Sequence, residues 1–186
     1  MTHAASIGLG IALLGMAVPT PALQQSGAVT GFNRRVEAYV QLQQRLRARL
    51  PRLASEASPE EIARSQGSLA AEIRGARTGA RRGDIFGQYE PEIRRLLTRV
   101  FRGPEGARLR AAILDEYPGN IRLEVNAAYP SVLPLASTPT AVLAVLPKLP
   151  EQLEYRFVGR YLTLFDREAQ IIPDFIPAAF PAEDRR

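Results

Sequence analysis

Apolar residues change their spacing along this chain, and each change marks an element. Ile7 to Val18 reads IGLGIALLGMAV, an uncharged apolar run. From Phe32 the spacing becomes three to four. Phe32, Val36, Tyr39, Leu42, Leu46, Leu50 and Leu53 recur with Arg and Gln between them, the pattern of an amphipathic helix. Pro51 ends or kinks it. Ser58-Pro59-Glu60-Glu61 predicts a second helix start, with Ser58 as cap, Pro59 in the first turn and Glu61 closing a capping box. Its inward positions are Ile62, Leu69, Ile73, Ala76 and Ala80, and Gly79 and Gly83 close it. A third helix opens at Glu90-Pro91-Glu92, buries Ile93, Leu96, Leu97, Val100 and Phe101, and stops at Gly103-Pro104. A fourth covers Glu105 to Glu116, with Leu109, Ala112 and Ile113 inward.

The period then falls to two. Ile121, Leu123 and Val125 alternate with Arg122, Glu124 and Asn126, which predicts a half-buried strand. Ala127 to Thr138 reads as loop, and Thr138-Pro139 opens a short helix to about Leu146. Leu153, Tyr155 and Phe157 alternate with Glu154 and Arg156, and Gly159-Arg160 fits a two-residue hairpin turn. Leu162 and Leu164 alternate with Tyr161, Thr163 and Phe165, Asp166 to Ala169 turns the chain, and Ile171-Ile172 starts another strand that Pro173 marks as an edge. The order of elements predicts an α+β fold, about four N-terminal helices followed by a small three- to four-stranded antiparallel sheet. The expected organisation is a signal peptide over 1–22, a flexible lead-in over 23–31 and one domain over 32–186, helical in 32–117 and β-rich in 121–177.

The N-terminal run has the length of a signal-peptide core and is too short for a membrane-spanning helix. Thr20 and Ala22 supply the small residues of a cut after Ala22. The expected location is therefore periplasmic or secreted, with no stable transmembrane segment after processing. The chain has no cysteine and one histidine, His3, inside that leader. A processed chain has neither, which removes thiolate and Ser-His-Asp nucleophiles and most zinc chemistry. No phosphate-cradling glycine loop and no calcium-loop motif occur, so neither cofactor nor metal is expected.

Carboxylates remain as acid/base groups. Asp84, in Gly83-Asp84-Ile85-Phe86, is the candidate catalytic residue, with a turn-forming role as its structural alternative. Asp166 and Asp174 flank the last strands. Charge is uneven: residues 31–112 hold 17 Arg against 9 Asp/Glu, a net +8, whereas 113–186 hold 7 Lys/Arg against 10 Asp/Glu, a net −3. Arg45, Arg49, Arg74, Arg77, Arg81 and Arg82 recur near helical spacing and are the candidate anion-binding residues. Solvated helix faces are the plainer account of the same run.

The stretch LEYRFVGRYLTLFD over Leu153–Asp166, followed by IIPDFI over Ile171–Ile176, resembles a C-terminal hairpin of uncharacterised small exported bacterial proteins. It is also similar to the terminal hairpin of periplasmic nickel- and cobalt-homeostasis proteins. The resemblance covers the last quarter of the chain and implies an envelope location. Those metal-linked proteins are often histidine-rich, and this chain departs from them there. The expected function is a non-enzymatic binding or structural role in the envelope through the basic helical surface. Its partner would be an anionic envelope component or another envelope protein. The alternatives are a carboxylate-dependent hydrolase and, without a functional leader, a cytoplasmic nucleic-acid-binding protein.

Overall fold

The computed structural model describes residues 21–115, 119, 121–131, 133 and 137–180. The apolar run Ile7–Val18 lies outside the described residues. The helices are α1 (Pro21–Arg47), α2 (Pro59–Ala76), α3 (Glu90–Val100), α4 (Gly103–Asp115) and the single turn α5 (Thr140–Leu143). The strands are β1 (Ala127–Ala128), β2 (Leu153–Val158), β3 (Tyr161–Asp166) and β4 (Ile171–Ile176). They form one antiparallel sheet in the order β1-β4-β3-β2, so the fold is α+β. The segment expected as a lead-in is part of α1. Among the described residues no helix is long and apolar enough to cross a membrane.

Local chemistry accounts for the helix ends. The Ser58 side chain accepts from the Glu61 amide and the Glu61 carboxylate accepts from the Ser58 amide, a complete capping box. Glu90 and Glu92 sit in the first turn of α3 and Arg99 in its last, each favoured by the helix dipole. Gly103 opens α4 with φ +70, a conformation that costs a side-chain-bearing residue.

One apolar cluster joins the two halves. Phe32, Val36, Tyr39, Val40 and Leu46 of α1 meet Leu69 and Ile73 of α2, Ile93 and Leu97 of α3, and Leu153, Tyr155, Leu162, Leu164 and Ile176 of the sheet. The helix ends at Arg47, before Pro51, and the burial stripe on α1 and the turn after it differs from the expected one. Val40 and Gln43 are inside, Leu42 and Leu50 are half-buried, and Leu53 is 40% exposed. Packing on a sheet as well as on α2 widens the buried face beyond the seam that spacing alone suggests. On α2 and α4 the inward set is shorter than predicted: Ile62 is 40% exposed, and Ala76 and Ala112 are exposed.

The sheet is buried on both faces, and every residue of β4 is buried. Its second face carries Val158, Ile172 and Phe175, covered by Leu123 and Leu133 with Ile121, Val125 and Tyr129 packed around them. The alternating burial of residues 121–125 is as expected, but the strand is not. Residues 121–124 are not part of a strand, and the ladder forms at Ala127–Ala128, inside the predicted loop. The Asn126 amide donates to the Ile172 carbonyl at 2.8 Å, and Asn126 takes φ 62, a conformation Asn tolerates. Pro173 does not mark an edge strand. β4 lies between β3 and β1, and the register shift in β3–β4 sets Ile172 and Pro173 opposite Phe165 alone, a bulge. A bulge is the other place where a strand tolerates a missing N–H.

Candidate functional site

Among the described residues two carboxylates are fully buried, Asp166 at the end of β3 and Asp174 in β4, both at 0% exposure. A catalytic carboxylate needs a free oxygen and a path to substrate. Each of these is instead surrounded by donors. Asp166 Oδ2 accepts from the Tyr39 hydroxyl at 2.7 Å. Its Oδ1 accepts from the Ala169 amide at 2.8 Å, the Glu168 amide at 3.0 Å and Gln43 Nε2 at 3.4 Å. It therefore builds the β3–β4 turn from inside and ties it to α1. Burial, and next the Asp166 charge, hold the Tyr39 phenol well above its ordinary range. Gln43 also donates to Glu168 at 3.2 Å, and Glu168 pairs with Arg47 at 2.5 Å.

Asp174 does the same for the loop after α2. Its Oδ1 accepts from the amides of Gly83 at 2.7 Å and Phe175 at 2.8 Å, and its Oδ2 from Ile85 at 2.8 Å and Phe86 at 2.9 Å. Burial pushes this carboxyl above its usual value although four amides favour the carboxylate. Arg35 completes the clamp from the other side. It donates to the carbonyls of Ile85 at 2.8 Å and Phe86 at 3.2 Å. The loop can approach α1 this closely because residue 87 is glycine. It has φ +51, and a Cβ there would overlap the Arg35 guanidinium. Gly87→Ala is expected to lower the unfolding free energy by about 1–2 kcal/mol in a urea titration. Gly79→Ala, in open space, is the control and should change it by less than about 0.5 kcal/mol.

The candidate residues do not converge. Asp84 is exposed, and its Oδ2 accepts from the Arg81 amide at 2.8 Å, a turn-forming contact. It lines an open groove of about 460 Å³ with Arg34, Arg35, Gly31 and Gln88. Of the six arginines, Arg77 is an internal strut rather than a surface contact. Its Nη1 donates to Asn126 Oδ1 and to the Pro173 carbonyl, and its guanidinium lies over the Tyr39 ring. Burial lowers its pKa. Arg82 pairs with Glu90 at 3.1 Å. Arg45, Arg49, Arg74 and Arg81 are exposed, and their side chains make no ion pair or hydrogen bond among the described residues. Arg45 stands six residues beyond Tyr39, about 9 Å along α1 from the Arg77 strut. The basic surface is therefore spread along the helical hairpin rather than gathered into one pocket.

The hairpin aromatics are core. Tyr155 is buried against the helices, and its hydroxyl has no hydrogen-bond partner there. Burial raises its pKa strongly. Phe157 packs edge-on to Phe101 and Phe180, Phe165 to Tyr129, and Tyr161 to Phe175. Among the described residues no group of three His, Cys, Asp or Glu could hold a metal. Sequence reasoning missed Arg35 and the anchoring role of Asp174. Only the turn-forming Asp166, ahead of Arg167-Glu168-Ala169, carried a local signal. No family model, curated protein or solved structure matches the chain.

Proposed function

We propose that this protein is an exported, non-enzymatic component of the bacterial envelope that binds an anionic surface through its helical hairpin. The observation that carries the reading is the set of exposed arginines without an acidic partner among the described residues, Arg45, Arg49, Arg74 and Arg81, beside buried carboxylates whose oxygens are already engaged. Residues 27–82 hold 11 Arg against 5 Glu, a net +6, and such a field concentrates anionic partners. The apolar run Ile7–Val18 and the resemblance of Leu153–Ile176 to hairpins of exported proteins support the location.

Two measurements test this. Fractionated cells should yield the protein in the envelope or medium, with an intact mass lacking a leader cut near Ala22. A full-length cytoplasmic species sinks the location. The purified chain should bind phosphatidylglycerol vesicles and not phosphatidylcholine vesicles, with affinity falling as salt rises. The Arg74→Glu/Arg81→Glu variant should bind at least about tenfold more weakly, since each basic group near an anionic surface contributes about 1 kcal/mol. Equal binding to both vesicle types removes the basic surface as the contact.

A further inference from the structure

The tip of the α1–α2 hairpin stands off the core, and its chemistry fits a second copy of itself. No residue from Pro51 to Ser68 is buried, and the first buried side chain of α2 is Leu69. Among the described residues three large hydrophobic side chains are exposed, and two of them, Leu53 and Ile62, belong to this tip. Ile62 extends the Leu69–Ile73 stripe of α2 past the point where the core ends. Leu53 and Leu50, with Arg47, Ala48 and Arg52, line a groove of about 410 Å³. The tip thus offers an apolar knob on α2 and an apolar hollow at the end of α1.

Its charges are segregated in the same way. The α1 side carries Arg49 and Arg52, and the turn and first turn of α2 carry Glu56, Glu60 and the capping Glu61, with Arg64 one turn further along α2. Arg49, Arg52, Glu56 and Glu60 are exposed, and none of these four forms an ion pair among the described residues. The opposite charges of one tip therefore do not neutralise each other. A two-fold axis brings the α1 side of one copy against the α2 side of the other, and each contact is then made twice. An anionic membrane would instead meet both glutamates. The tip is also stiff before binding, with Pro51, Pro59 and the Ser58–Glu61 capping box holding its turn, so little ordering cost is left to pairing.

We propose that two copies dimerise through this tip, with Ile62 of each copy in the Leu50–Leu53 hollow of the other and Arg52 facing Glu56 across the axis. This goes beyond the anion-binding reading, and Arg74 and Arg81 take no part in it. The test is sedimentation of the full chain over a concentration series. Wild type should show a reversible dimer. Ile62→Glu should be monomeric at every concentration, with unchanged far-ultraviolet circular dichroism, because residue 62 is exposed. Arg52→Glu and Glu56→Arg should each raise the dimer dissociation constant about tenfold or more, and the double reversal should restore it. A monomeric wild type, an Ile62→Glu variant that still dimerises, or single reversals that the double does not rescue would each overturn the proposal. A monomeric wild type whose binding to phosphatidylglycerol vesicles is lost in Ile62→Glu gives the tip to lipid instead and overturns it too. The Arg74→Glu/Arg81→Glu variant should keep the wild-type mass, so failure of the anion-binding reading and failure of this one are separable.

Discussion

Asp174→Ala should cost this protein about 4–6 kcal/mol of unfolding free energy, enough to leave a small domain barely folded. The reason is the number of donors left behind. The amides of Gly83, Ile85, Phe86 and Phe175 all point at this carboxylate, and an unsatisfied buried donor costs about 1–3 kcal/mol. Water entering the cavity reduces the total, which is why the expectation lies below four full penalties. Asp174→Asn keeps one acceptor oxygen but turns an NH2 group towards donors, so about 2–3 kcal/mol is expected there. The check is urea unfolding of wild type and both variants. A loss under about 1 kcal/mol for the alanine variant means that the 83–86 loop stands without its anchor.

The same carboxyl sets a pH dependence with a definite sign. Burial raises its pKa in the folded state above the ordinary 3.8. The folded protein therefore holds this proton to higher pH than the unfolded chain does. The associated stability is fully present below 3.8 and is lost as pH rises through the raised folded value. The stability of wild type minus that of Asp174→Asn should fall with rising pH in that window and level off above it. A difference that rises with pH means the four amides outweigh burial and the folded pKa lies below the ordinary one.

Phe101→Ala is expected to cost about 3–5 kcal/mol. Phe101 is 1% exposed at the end of α3. Its ring centroid lies 4.6 Å from that of Phe180 and 5.9 Å from that of Phe157. It thus joins a helix end to β2 and to the chain beyond β4, and the cavity left by alanine would be lined from three directions that cannot all close in. Phe101→Leu should recover more than half of the loss, because most of the volume returns. Leu143→Ala, at an exposed site, should cost less than about 0.5 kcal/mol. Equal effects at Phe101 and Leu143 would show that the three rings are not a joint.

Legibility in the sequence followed the range of the interaction. The capping box at Ser58, the dipole-matched ends of α3 and the Gly159-Arg160 turn are contacts between residues a few positions apart, so their spelling is visible in a short window. Gln43 is the opposite case. A polar residue on a helix reads as solvent-facing, and it is buried because Asp166 and Glu168, more than 120 positions later, accept its amide hydrogens. Arg77 reads as one more member of a basic stripe. It becomes a strut because Tyr39, Asn126 and Pro173 surround it. Residues 121–125 alternate like a strand but cover a sheet face instead, since burial alternation reports which side meets the core and not whether a ladder partner exists.

The sequence by itself determined the class of fold, most helix starts, the β2–β3–β4 meander and the excess of arginine over the helical half, because periodicity, capping and turn chemistry act locally. Only the tertiary structure decided which charges are used up. It sealed Asp166 and Asp174 inside donor sets, turned Arg77 inward, left Arg45, Arg49, Arg74 and Arg81 in solvent, and set the tip at Leu53 and Ile62 apart from the core. A charged side chain has the same sequence signature whether it meets water or a partner, and its partners here lie tens of residues away.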